Sequence, residues 1–182
     1  MATSDLLPDT ASPEESPPRV PVVGIGASAG GLEAVSALLE ALPPDPGMAF
    51  LVVMHLQADA ESHLPQLLAR IAPIPVLPAA DGTRIEADRV YVLPPGATLT
   101  VSDGHLALAP RPQRVPHMPI DHLFRSLAET HRSKAVGVIL SGDGTDGSLA
   151  FKDIKAAGGI TFAQDQKTAK HSSMPRSAVA DG

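Results

Sequence analysis

The chain contains no cysteine and no tryptophan, and only one tyrosine and four phenylalanines. The missing thiol removes disulfide scaffolds, cysteine nucleophiles, thiolate zinc sites and iron–sulfur clusters together. Positive charge is scarce as well: 14 basic against 20 acidic side chains leave a net charge of −6, with no block of Lys and Arg. A protein that grips nucleic acid without reading sequence needs a basic face and rings to stack on bases, so nucleic acid is not an expected partner. No apolar run reaches the roughly 18–20 residues of a membrane span, so membrane insertion is not expected either. The basic-then-apolar pattern of a secretory signal is missing from the first residues. What is present is a chain of 182 residues, 43% hydrophobic, which suits one domain with a real core. The expectation is a soluble, acidic, cytoplasmic protein.

Residues 1–19 differ from the rest. They hold Pro8, Pro13, Pro17 and Pro18, with Asp5, Asp9, Glu14 and Glu15 against a single base, Arg19. Such a segment buries too little apolar surface to offset its ordering, and it reads as a flexible leader. From Val20 onward, short apolar runs alternate with helical spacing. Strands are predicted at Val20–Ile25, Ala49–Met54, Pro75–Ala79, Val90–Leu93, Ala135–Leu140 and Ile160–Ala163. Helices are predicted over Gly30–Leu42, Ser62–Ile71, Ile120–His131 and Ser148–Ala157. Thr98–Val101 and His105–Leu108, joined by Ser102-Asp103-Gly104, read as a β-hairpin, and the proline-rich stretch 110–119 as a loop. Strands apolar on both faces and alternating with helices imply a three-layer α/β/α domain. Its sheet would be doubly wound, mostly parallel and Rossmann-like, with the hairpin as a small addition.

The strongest local signal is Gly24-Ile25-Gly26-Ala27-Ser28-Ala29-Gly30-Gly31, between the first strand and the first helix. Read as G-x-G-x-x-A it suits a dinucleotide, whose pyrophosphate approaches a helix N-terminus over glycines. Gly26-x-Ser28-x-Gly30 is also the pattern of a nucleophile elbow. The third reading is that glycines simply let a helix pack close to the sheet. From the motif alone the three stand close together. The second strand favours the elbow, because it ends in His55 rather than in an acid able to bind ribose hydroxyls, and Asp59 comes too late. A histidine beside a serine is a suitable general base. The carboxylate that would complete a triad comes from the loop after Ala135–Leu140, Ser141-Gly142-Asp143-Gly144-Thr145-Asp146-Gly147. Asp143 and Asp146 are both candidates, and either is equally a candidate cap for the helix that follows. His171 would give the order Ser, Asp, His, but only one strand precedes Ser28, unlike hydrolases with that order. His63, His105, His117, His122 and His131 fall on surface helices, the hairpin and the proline loop, without metal-ligand spacing.

Together these residues resemble the catalytic domain of the CheB family of chemotaxis protein-glutamate methylesterases. The resemblance is carried by Gly24–Gly31, Val53-Met54-His55, Val90–Pro95, Pro119–Ala128, Val138–Gly147 and Ala163–Ala178 with its Met174-Pro175-Arg176. It implies Ser28 as nucleophile, His55 as base and Asp146 as the orienting carboxylate. Backbone N–H groups at Ala29, Asp143 and Gly144 are the implied oxyanion donors. The implied reaction is hydrolysis of glutamyl methyl esters, or deamidation of glutamines, on the cytoplasmic helices of methyl-accepting chemoreceptors or a similar methylated protein. No metal or organic cofactor is implied. The wording of the last motifs is most similar to domains that open methylesterase–methyltransferase fusions, often with PAS and kinase modules. Four departures from the family pattern stand out. Ala29 stands where a threonine often follows the serine, and Asp143 where well-known members have methionine. A receiver domain is not expected ahead of the catalytic domain at residues 20–182, and that domain is expected to lack a last strand and helix that members usually carry. Two other functions remain in view. One is a catalytically weak docking or regulatory module, and the other a nucleotide-binding domain.

Overall fold

The computed structural model describes residues 20–55, 62–113 and 116–181. The leader expected at residues 1–19, and Asp59, lie outside the described residues. Six strands form one sheet: β1 (Val22–Ala27), β2 (Ala49–Met54), β3 (Val76–Pro78), β4 (Arg89–Val92), β7 (Ala135–Ile139) and β8 (Ile160–Ala163). Their order is β3-β4-β2-β1-β7-β8, and every pairing is parallel. The hairpin, β5 (Ala97–Ser102) and β6 (His105–Pro110), is a separate two-stranded antiparallel sheet. Asp103 and Gly104 both take positive φ at its tip, 47° and 75°, the two-residue turn that matches strand twist.

The central strands are buried on both faces because helices cover both. α1 (Gly31–Glu40) and the short α2 (Leu64–Leu68) press Val35, Leu39, Leu64 and Leu68 against Val23, Ile25, Phe50 and Val52. On the other face, α3 (Pro119–His131), α4 (Ser148–Ala156), α5 (Ser173–Asp181) and the hairpin pack against Val22, Leu51, Val53 and Ile139. The crossover β1–α1–β2 runs one way from the centre and β7–α4–β8 the other. Crossovers of one hand therefore place α1 and α4 on opposite faces. The chain reverses direction between β1 and β7, and the crevice beyond their carboxyl ends is where such sheets hold ligands.

Gly24 and Gly26 point toward α3. A Cβ on Gly24 would stand 2.8 Å from Leu127 Cδ1, and one on Gly26 would stand 2.5 Å from Ile120 Cγ2. These glycines let α3 lie directly on β1, so they are occupied by packing and not by a pyrophosphate.

Two expectations needed correction, and one helix was missed. α2 is five residues long rather than spanning Ser62–Ile71, since Pro73 disfavours helical backbone at Ala72 and the turn closes before it. His131, expected at the surface, is only 5% exposed at the end of α3, which is enclosed by the sheet, α4 and β5. α5 was not anticipated at all.

Candidate active site

Ser28 follows β1 directly and His55 follows β2. The parallel register Ala27↔Met54 sets them side by side, and His55 N–H donates to Ala27 O at 3.2 Å. On the other flank, Ser28 N–H donates to Ser141 O at 3.0 Å and so extends the β1–β7 ladder past its last strand pair. Two ladders therefore fix the Ser28 loop on both sides. Gly30 adopts φ 66°, which turns the chain sharply from Ser28 into α1. Gly142 admits no side chain, because a Cβ there would stand 2.6 Å from Met174 Cε and 2.9 Å from Ser28 Cβ. The fully buried Met174 thus supports the β7 loop from beneath.

Asp146 is 2% exposed and lies at the end of the loop after β7. Its Oδ2 is 2.7 Å from His55 Nε2. The same carboxylate accepts Ile120 N–H at 3.0 Å and Asp121 N–H at 2.9 Å. It therefore does cap a helix, but α3 rather than the helix that follows it. Two orphan donors at a helix start hold a carboxylate in one orientation, with the helix dipole favouring negative charge there. The carboxylate in turn holds the imidazole. The His55 side chain is 31% exposed, and no hydrogen bond joins Ser28 Oγ to its ring.

Asp143 faces elsewhere. Its carboxylate accepts from His171 Nδ1 at 2.9 Å and from Ser173 Oγ at 3.2 Å, and its side chain is 62% exposed. His171 is thereby paired with Asp143 and not with Asp146. Of the three expected oxyanion donors, Gly144 N–H donates to Ser173 Oγ at 3.3 Å. The N–H groups of Ala29 and Asp143 have no hydrogen-bond partner among the described residues.

The family model for CheB methylesterase matches residues 23–182. The chain belongs to the CheB methylesterase family. It is 36% identical over 177 residues to a protein-glutamate methylesterase/protein-glutamine glutaminase of Burkholderia pseudomallei, covering 96% of this chain and 52% of that protein. The relative of the same description in Anaeromyxobacter dehalogenans is 39% identical over 178 residues, covering 93% of this chain and 50% of that one. An uncharacterized 104.1 kDa protein of Rhodobacter capsulatus is 44% identical over 116 residues, 64% of this chain and 12% of its own. The crystal structure of the Thermotoga maritima CheB methylesterase catalytic domain superposes with a TM-score of 0.82 at 27% identity, covering 90% of this chain and 89% of that one. The chain spans about half the length of the methylesterase relatives it matches.

Beside His55 this CheB domain has a cavity of about 190 Å³, walled by Met54, Leu93, Pro94 and Pro95, with Arg111 and His117 at its polar side. Arg111 has no ionic partner among the described residues. The His117 ring bonds Thr98 Oγ1 at 3.1 Å, and burial, then the Arg111 guanidinium, push it below the usual imidazole range.

Three residues here escaped the reading of the sequence as functional candidates, Arg111, Asp121 and Ser141, and a fourth, His117, was weighed there only as a metal ligand and set aside. Ser141 is fully buried, donates to Ala29 O at 2.9 Å and accepts His171 N–H at 2.9 Å. It ties the loop after Ser28 to the strand of chain before α5. A serine in a glycine-rich loop reads as a turn residue, so nothing in the sequence marked it.

Proposed function

We propose that this domain is a protein-glutamate methylesterase, a serine hydrolase that removes methyl groups from glutamyl esters on receptor helices in the cytoplasm, and that it also deamidates glutamines there. The single observation that carries the reading is the 2.7 Å contact of His55 with a buried carboxylate, on the strand end next to Ser28. With Nε2 committed to Asp146, Nδ1 is the nitrogen left to take the Ser28 proton. The serine oxygen attacks the ester carbonyl, and the imidazolium, stabilised by Asp146, then protonates methanol as it leaves. Water, deprotonated by the same ring, cleaves the acyl-enzyme and restores the serine. The unpartnered N–H groups of Ala29 and Asp143 suit the oxyanion, a contribution of about 3 kcal/mol per donor. The apolar walls of the cavity beside His55 accept the methylenes of a glutamyl side chain, and Arg111 the negative charge of an acidic receptor segment. The 104.1 kDa relative, of which the match covers 12%, supports a setting within a much longer chain. Attached methyltransferase, PAS or kinase modules are part of the proposal and rest on the sequence resemblance alone.

The test is methanol release from a methylated receptor fragment, comparing the wild type with Ser28→Ala and His55→Ala. Turnover by the wild type and a loss of at least about 10³-fold in both variants are expected. A folded wild type that releases methanol only at the background rate would overturn the enzyme reading in favour of a docking module.

A further inference from the structure

α3 and α4 begin side by side, and each beginning is capped by a carboxylate from the other helix's segment. Asp146, two residues before α4, binds the Ile120 and Asp121 N–H groups of the first turn of α3. Asp121, in that first turn, accepts Ala150 N–H of the first turn of α4 through Oδ1 at 3.1 Å, and Gly147 N–H also supports its negative charge. Both side chains are buried, with Asp121 3% and Asp146 2% exposed. The two caps close a ring. One side chain's backbone holds the other's carboxylate, and its own carboxylate holds the helix that the other precedes.

We propose that Asp121 is a positioning residue for ester hydrolysis, holding the Asp146 carboxylate in place against His55 by clamping the starts of α3 and α4 together. The proposal rests on the Ser28–His55–Asp146 reading given above. A helix start needs only a neutral acceptor, which Asn or Ser supplies, so a buried charge beside a second buried carboxylate is a poor choice for stability alone. Burial, and then the charge of Asp146, push the Asp121 carboxyl above the ordinary carboxylate range. The Ala150 and Gly147 N–H groups and Arg125 pull it the other way, and Arg125 itself reaches Asp153 at 3.5 Å. An acid raised in the folded state favours folding in its protonated form, and that advantage is lost as pH rises through the folded value. At neutral pH the isosteric Asp121→Asn keeps the acceptor for Ala150 and removes the ionisation penalty. Its stability is therefore equal or greater, but its neutral amide gives Gly147 N–H no anionic partner, so the hold on the residue next to Asp146, and through it on the Asp146 carboxylate, is weaker.

The experiment compares wild type, Asp121→Asn, Asp121→Ala, Asp146→Asn and the Asp121→Asn/Asp146→Asn double variant. Three quantities are read: kcat and KM for ester hydrolysis, the rate at which a fluorophosphonate labels Ser28, and Tm. Asp121→Asn lowers kcat and labelling by about 10- to 100-fold, leaves KM within about twofold, and leaves Tm unchanged or raised. Added to Asp146→Asn, it costs less than about threefold more, because the carboxylate it positions is already gone. Full activity in Asp121→Asn, or a loss that multiplies with that of Asp146→Asn, overturns the proposal. So does unfolding of both the Asn and the Ala variant, which would assign Asp121 to stability alone. If the wild type labels at Ser28 but releases no methanol, the substrate reading fails and the labelling ratios still decide the role of Asp121. If Ser28 does not label, the triad reading fails and takes this proposal with it.

Discussion

Gly26→Ala is expected to separate stability from activity in a way that Gly24→Ala does not. A methyl group at Gly26 would lie 2.5, 2.8 and 3.0 Å from Cγ2, Cδ1 and Cγ1 of Ile120. Carbon atoms prefer about 3.5–4.0 Å, so Ile120 must retreat by about 1 Å. Its escape is closed on the other side, where a Cβ on Gly147 would already stand 2.6 Å from the same Cγ2. The side chain is fully buried and cannot swing into solvent, so the start of α3 has to shift. Overpacking of this kind costs about 1–3 kcal/mol, or roughly 3–10 °C in Tm for a domain of this size. The larger effect falls on chemistry, because Ile120 N–H is one of the two donors that aim Asp146. A displacement of about 1 Å at such a support is enough for roughly 10²-fold in kcat. Gly24→Ala is crowded to a similar degree, at 2.8 Å from Leu127 Cδ1 and 2.9 Å from Phe124 Cε1, but these lie further along α3 from the capped end. It should lose similar stability and less than about fivefold in kcat. The measurements are thermal denaturation of both variants and methyl ester hydrolysis well below either Tm. Equal losses of kcat in the two variants, or full activity in Gly26→Ala, would refute the idea that the first-strand glycine sets the position of Asp146.

Two further outcomes follow from the same geometry. His117 is held below its usual range by burial and Arg111, so the unfolded chain binds its proton more readily, and stability should fall as pH drops below about 6.5. His117→Gln should flatten that part of the urea-denaturation profile, and an unchanged profile would count against the assignment. Asp143→Asn should alter kcat by less than about threefold and Tm by no more than about 2 °C, because the carboxylate is turned to His171 and Ser173 and the pair is exposed. A gain of tenfold or more would mean that the carboxylate opposes charge at the reacting oxygen.

The central strands were legible because burial on both faces leaves continuous apolar runs, and β1, β2 and β7 are such runs. The closeness of Ser28 and His55 was legible for a related reason. Parallel sheets place functional groups at strand ends, and both residues end the strands that the sequence marks most clearly. Asp146 against Asp143 was a different matter. Which carboxylate turns inward depends on the start of α3, 25 residues earlier in the chain, and on Gly147 at φ 88°. Spacing within the loop carries none of that, and only the family resemblance favoured Asp146. The glycine-rich motif admitted three readings because its chemistry is shared. Contact with Ile120, Leu127 and Phe124 gives Gly24 and Gly26 to packing, which pattern-matching cannot weigh. α5 was missed because its signals are weak. Pro175 sits in its first turn, and Met174, Pro175 and Ala178 are the residues it buries, too few to form a helical stripe.

The reliance of the site on strand register has a consequence for how activity arises during folding. His55 and Asp146 are 91 residues apart in the chain, and their contact exists only when β2, β1 and β7 are paired side by side. Local helix formation or an early hairpin cannot supply any part of it, and non-local parallel pairing is intrinsically slow. A ribosome-bound chain that ends before residue 146 therefore has a serine and a histidine but no oriented base. Recovery of the proposed esterase activity in a refolding experiment would report completion of the central sheet, and would lag behind signals that follow helix content alone.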